Sequence, residues 1–213
     1  VAKERGLDVV VDVHYPPTIS DWGPIAAQVR DAKPDLVINN GLGVDTVNAL
    51  TAMKQLGYKP PLTFSLFPAP GPLLGLGEDA EGVLSVSVFE PNKSVVDKLG
   101  PEVQAIVDEF TKRATDAKQP YPVFETQAVA SWTAWEILTK AVQGVGEIDH
   151  KAMCDWLHAN GVDTTFNGKL TFDPKVNNFW PSTLGLKQIQ DKDWVMVWPT
   201  DRAAAKITAP EEG

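Results

Sequence analysis

Four short runs of β-branched and aliphatic residues, spaced almost evenly over the first 90 positions, set the pattern of this chain. Val9-Val10-Val11-Asp12-Val13-His14-Tyr15 is halted by Pro16 and Pro17, and Asp35-Leu36-Val37-Ile38-Asn39-Asn40-Gly41 runs into a glycine turn. Leu62-Thr63-Phe64-Ser65-Leu66-Phe67 follows two prolines, and Val83-Leu84-Ser85-Val86-Ser87-Val88 stops before Glu90-Pro91. Each reads as a strand, the second as one buried on both faces. Helical periodicity fills the gaps. Ser20 or Asp21 is placed to cap a helix whose inward stripe is Trp22, Ile25, Ala26 and Val29, ended near Lys33-Pro34. Asp45 is placed to cap another over Thr46 to Leu56, closed by Gly57, where a left-handed backbone is usual. Val1 to Leu7 reads as the last turns of a helix stopped by Gly6, so upstream sequence with at least one strand is expected. Regular alternation of strand and helix predicts right-handed βαβ units and a mostly parallel sheet.

From Pro91 the pattern changes to helix after helix. Pro101 suits a first helical residue, ahead of an apolar stripe of Val103, Ile106, Val107 and Phe110. A longer helix is predicted from about Phe124 to Gln143, with Ala128, Val129, Trp132, Ala134, Leu138 and Ala141 available for burial. Asp149 to Asn160 makes a third, stopped by Gly161. Three amphipathic helices without strands need a surface to cover, and a sheet from upstream sequence would supply one. Expressed alone, the chain is therefore expected to aggregate or pair with another copy. The tail returns to strands: a turn and short strand over Phe166 to Pro174, and a hairpin of Leu184 to Gln190 and Trp194 to Trp198 across Asp191-Lys192-Asp193.

Composition narrows the partners more than the fold. The 213 residues are 43% hydrophobic and 22% charged with a net charge of −9, and no run of Lys or Arg is suited to phosphates, so nucleic acid is not an expected partner. A single cysteine, Cys154, rules out an internal disulfide. No apolar run is long enough to cross a bilayer.

The sequence carries little catalytic chemistry. Gly41-Leu42-Gly43 has Thr46 where a dinucleotide fingerprint needs its third glycine, and there is neither a Gly-x-Ser-x-Gly elbow nor a phosphate loop. His150, Cys154 and His158 share a helix face, but the outer pair lie about 12 Å apart along the axis, too far for all three to hold one ion. His14 is a lone histidine in a predicted strand. No cofactor and no catalysis are expected. The better prospect is the end of the second strand, where a glycine loop leads into the Asp45 helix, the kind of place where open α/β sheets hold small ligands. Trp22, Trp132, Trp135 and Trp156 sit on helices where packing is the default, whereas Phe67, near a strand end, is a candidate for stacking on a ligand.

Several short pieces, in order, carry a resemblance: Ala2-Lys3-Glu4-x-Gly6-Leu7, Tyr15-Pro16-Pro17 to Asp21-Trp22, Ala32-x-Pro34-Asp35-Leu36-Val37, Gln55-Leu56-Gly57 and Glu81-Gly82-Val83. Phe166-Asn167-Gly168 with Phe172-Asp173, Gln188-Ile189-Gln190-Asp191 and Val197-Trp198-Pro199 continue it. Together they resemble the later part of the type I periplasmic binding proteins of the Leu/Ile/Val-binding kind, solute receptors of ABC importers. The resemblance implies an α/β fold of two Rossmann-like lobes with mostly parallel sheets, closing on a ligand. Residues 1–90 would form the second lobe without its first strand, 91–165 helices of the first lobe, and 166–213 a hinge crossing that returns to the second.

It also implies a function. The chain would belong to a periplasmic, or lipid-anchored extracellular, receptor that hands a small solute to a membrane permease. Asn40, Gly41, Leu42, Gly43, Leu66 and Phe67 would line one wall and Phe124 and Gln127 touch the other, with the remaining contacts in an N-terminal segment. Amino-acid-binding relatives place an acid at the end of the third strand, where this chain has Ser65, Leu66, Phe67 and Pro68. A buried ammonium without a counter-charge costs on the order of several kcal/mol. A hydrophobic or aromatic carboxylate, or an apolar amino acid, is therefore the expected solute. The alternative on the same fold is the ligand-sensing domain of a regulator or receptor.

Overall fold

The computed structural model describes residues 2–176, 179–181 and 183–208. After a short 3-10 turn at Lys3–Arg5, the elements run α1 (Gly23–Ala32), β1 (Leu36–Gly43), α2 (Asp45–Gln55), β2 (Leu62–Pro68), α3 (Pro70–Leu74) and β3 (Leu84–Ser87). Then follow α4 (Lys93–Leu99), α5 (Pro101–Asp116), α6 (Thr126–Val145), α7 (His150–Asn160), β4 (Val162–Thr164), β5 (Gly168–Phe172), β6 (Phe179–Trp180), β7 (Gly185–Gln190) and β8 (Asp193–Trp198). The chain divides into two compact units. One comprises Val1–Val86, Lys187–Val195 and Lys206–Gly213, the other Ser87–Leu186 and Met196–Ala205.

A five-stranded sheet has the order β1-β2-β3-β7-β8, with β1, β2 and β3 parallel as the alternating pattern predicts. In the first unit, Trp22, Ala26 and Val29 of the α1 region pack with Leu50 and Met53 of α2, and with Leu73, Val83, Ile189 and Trp194. The Asp21 carboxylate accepts from the amide of Gly23 at the start of α1. Gly57 takes the left-handed backbone expected just beyond α2 (φ 67°). Asp191 and Lys192 both have positive φ, the conformation a two-residue hairpin turn between β7 and β8 demands.

Two strand expectations need correction. Val9 to Tyr15 forms no strand, and Val9 and Val10 are exposed. A β-branched run becomes a strand only when a neighbouring edge completes its ladder, and among the described residues none pairs with it. β1 is not buried on both faces either. It lies at the edge of the sheet, and only its alternate residues Val37, Asn39 and Gly41 are half-buried, while Leu36 and Ile38 face solvent, Ile38 at 56% exposure.

In the second unit the core joins Val95 and Val96 of α4, Val103 and Val107 of α5 and Val129 of α6 with Phe89, Phe124, Phe166 and Met196. Antiparallel pairing of β4 with β5 and of β5 with β6 makes a small sheet. α6 buries less than its pattern suggests. Val129 and Ala141 are buried, but Trp132, Trp135, Ala134 and Leu138 are exposed. With apolar residues on more than one side of α6, the neighbours among the described residues cover a single stripe.

Candidate functional site

The end of β1 is shaped by one extra residue. From Asn39 to Leu42 the chain takes three steps while its parallel partner takes two, from Ser65 to Phe67, so the ladder is interrupted at Asn40 and Gly41. The bulge is held from beneath by side chains. Asn39 Oδ1 accepts from the amide of Gly41 (2.7 Å) and Asp45 Oδ2 from the amide of Leu42 (3.3 Å). The Tyr15 hydroxyl lies 3.2 Å from both of those acceptors. Gly41 is required here for space: a Cβ would overlap the Tyr15 hydroxyl and lie 2.5 Å from Asp45 Oδ2 and 2.7 Å from Asn39 Oδ1.

Asp45 therefore does something other than the sequence suggests. It is the first residue of α2, and its carboxylate turns back to the loop instead of capping the helix amides, with Val44 at the N-cap position. Burial, followed by the charge of Asp45 and the hydrogen bond to it, pushes the Tyr15 phenol up to about 12.

Past the bulge the ladder resumes, and Leu42 pairs with Phe67 and Gly43 with Pro68. The carbonyl of Gly43 accepts from the amide of Ala69 (2.7 Å), which ties the loop after β2 to the loop after β1. Beneath, the hydroxyls of Thr46 and Ser65 are 2.6 Å apart and buried, and the Ser85 hydroxyl donates to the Leu66 carbonyl. What remains toward solvent is apolar: Leu42 at 65% exposure, Phe67 at 44%, and Val44, with Asn40 as the polar exception. Leu66 is half-buried.

Phe124 and Gln127 lie in the other unit. Phe124 is 2% exposed, its ring packed against Phe89, Phe110, Trp132 and Phe166. Gln127 is exposed in the first turn of α6, and its amide donates to Glu125, the residue that caps that helix. Beside them, the hydroxyls of Ser87 and Thr126 bond to each other and to the buried Glu90 carboxylate. Among the described residues no three His, Cys, Asp or Glu side chains gather to hold a metal ion, and no helix is long and apolar enough to cross a membrane.

The family model for periplasmic binding proteins matches residues 1–191. The chain belongs to the periplasmic binding protein family. A curated relative, a Leu/Ile/Val-binding protein homologue of Brucella suis, is 24% identical over 98% of this chain and 52% of its own length. The chain spans about half the length of the curated relatives it matches. Among solved structures, a leucine-, isoleucine-, valine-, threonine- and alanine-binding protein from Brucella ovis in its closed conformation superposes with a TM-score of 0.72. It is 19% identical, over 97% of this chain and 54% of that one. An R. palustris ABC-transporter solute-binding protein in complex with 4-hydroxybenzoate superposes at 0.67, with 19% identity over 91% of this chain and 52% of that one. These likenesses establish the type I periplasmic-binding-protein fold.

Within that fold, the residues singled out around the end of β1 and the end of β2 do come together, since Leu42 and Phe67 are register partners. Sequence reasoning missed Tyr15 and Asn39, which hold the loop from below. Asn39 carried a signal: an amide side chain two residues before a glycine is placed to accept from that glycine's amide. Tyr15 carried none, because its contact is made across 24 and 30 residues of chain.

Proposed function

We propose that this chain is the later part of an extracytoplasmic solute receptor of an ABC importer, and that the loop ends of β1 and β2 supply an apolar wall for a small hydrophobic or aromatic carboxylate or amino acid. The observation that carries this reading is the Leu42–Phe67 pair, open to solvent above a polar layer whose groups already bond to one another. Covering the exposed parts of both side chains with a solute would contribute about 1 to 2 kcal/mol each. The names of similar proteins support the chemical class: one solved relative binds leucine, valine and related amino acids, another was captured with 4-hydroxybenzoate.

Asp45 orients the solute. A solute carboxylate about 4 Å from this acid would meet a repulsion of about 4 kcal/mol at an effective dielectric constant of about 20. The apolar body therefore faces Leu42 and Phe67, and the carboxylate faces groups supplied by the rest of the protein. Asn40, Gly41, Gly43 and Leu66 complete the wall. The assignment of Phe124 and Gln127 to the site rests on the family resemblance; Gln127 is exposed, whereas Phe124 is buried in the aromatic core of its own unit. In this reading residues 1–90 and the returning tail belong to the second lobe, residues 91–165 to the first, and the receptor works in the periplasm, or outside the cell on a lipid anchor, with a membrane permease.

Thermal-shift measurements on the intact receptor test this directly, with benzoate, 4-hydroxybenzoate, phenylpropanoid acids, leucine and valine as ligands. A shift with the aromatic acids is expected. Shifts with leucine and valine but none with the aromatic acids would remove the aromatic reading, and no shift with any of them would remove the wall itself.

A further inference from the structure

We infer that Tyr15 is a positioning residue that sets the shape of the Asn39–Asp45 loop, although it lies outside that loop. Its ring is anchored in the first unit, edge-on to the buried Trp22 with centroids 4.8 Å apart. Its hydroxyl reaches the two acceptors, Asn39 Oδ1 and Asp45 Oδ2, that between them hold the amides of Gly41 and Leu42. The hydroxyl carries one proton and so donates to one of the two acceptors at a time, bridging a carboxylate and an amide carbonyl. Gly41 passes so close over the hydroxyl that no side chain fits between them.

Each partner constrains another. Asn39 fixes the amide at the bulge, Asp45 fixes the amide of the residue that pairs with Phe67, and Tyr15 holds both side chains in the rotamers that do so. The backbone ladder resumes only past the bulge, so the shape of the interrupted stretch falls to these side chains. Tyr15 therefore acts on the wall through Asn39 and Asp45 and needs no contact with the solute. The loop-shaping role stands on the contacts alone, and only its effect on affinity rests on the receptor reading above.

Tyr15→Phe is the informative variant because it keeps the ring against Trp22 and removes only the hydroxyl. Hydrogen exchange on the intact protein, without any ligand, should show the Gly41 and Leu42 amides exchanging about tenfold faster while the amides within α2 and β2 keep their rates, as loss of a hydrogen bond to a charged group implies. Gly41→Ala, which leaves Tyr15 in place, should raise the same two rates by displacing the loop from the hydroxyl, and the double variant should be no faster than the faster single one. Unchanged exchange at Gly41 and Leu42 in Tyr15→Phe, or additive effects in the double variant, would overturn the inference. With 4-hydroxybenzoate as the probe, Tyr15→Phe should raise Kd about tenfold. Failure of the native protein to bind that probe would count against the receptor reading and leave the exchange result to decide the role of Tyr15.

Discussion

Leu42 and Phe67 stand side by side as register partners of two parallel strands, brought opposite each other by the one-residue bulge between Asn39 and Leu42. Neither is committed to a core, so truncating them should be felt by a solute and hardly by the fold. Phe67→Ala and Leu42→Ala are each expected to change unfolding free energy by about 0.5 kcal/mol or less, the usual range for surface positions. Each should weaken an apolar solute by about tenfold, from the loss of about 1 to 2 kcal/mol of covered surface. Calorimetric titration with 4-hydroxybenzoate beside a denaturant melt separates the two effects. A large loss of stability with unchanged affinity would move both residues from the site to the core.

Gln188 offers the opposite case. It is completely buried, and its Nε2 donates to the carbonyls of Gly82 and Thr208 while its Oε1 accepts from the amide and hydroxyl of Thr208 and from Gln190. One side chain thus fastens β7 to the turn before β3 and to the segment after β8. Gln188→Ala should lose about 2 to 4 kcal/mol, because backbone groups are left without partners as well as a cavity being opened. The urea midpoint should fall accordingly. A change below about 1 kcal/mol would mean that water replaces the amide.

Wherever pairing is local the elements could be read directly. Gly57 ends α2, Pro101 opens α5, Asp149 caps α7 through the amide of Ala152, and Asp191-Lys192 turns the last hairpin. What escaped depends on distant partners. Among the described residues Val9 to Val13 has the composition of a strand and no ladder to join, and Trp135 has the helical position of a core residue yet is 66% exposed. α3 was hidden because Pro68-Ala69-Pro70-Gly71 reads as loop, yet a proline in the first turn is tolerated and Leu73 is fully buried. The apolar face of the candidate site was legible from Leu42 and Phe67. Its polar underside was not, because Tyr15, Asn39 and Asp45 meet only after folding.

Tyr15 should also be visible in an alkaline titration. Its folded pKa is raised to about 12 against an ordinary value of 10.0, so its neutral form is the one favoured by folding. The stabilisation is complete below the unfolded value and is lost as pH rises from about 10 through about 12. Ultraviolet difference spectra should therefore show Tyr15 ionising well after an ordinary phenol, with Tyr58 also displaced upward by burial and the charge of Asp35, and Asp45→Asn should bring only the Tyr15 step to lower pH by removing the neighbouring charge. A titration in which Asp45→Asn changes nothing would argue that burial alone sets the value.

Trp135 is 66% exposed on α6, Leu138 is exposed one turn further along, and Ile148 is 77% exposed just before α7. Large apolar side chains are costly to leave in water, and covering any one of them fully would contribute about 1.5 to 3 kcal/mol. Produced as these 213 residues alone, the chain is expected to associate, with its apparent mass in light scattering rising over the micromolar range. Trp135→Glu together with Ile148→Glu should suppress the association while leaving the far-ultraviolet circular dichroism unchanged, since neither side chain is in the core. Association that persists in that double variant would point to another surface, such as the edge strand β1, where Leu36 and Ile38 are exposed. A cooperatively melting monomer at every concentration would mean that these helices do not need the covering their exposed side chains imply.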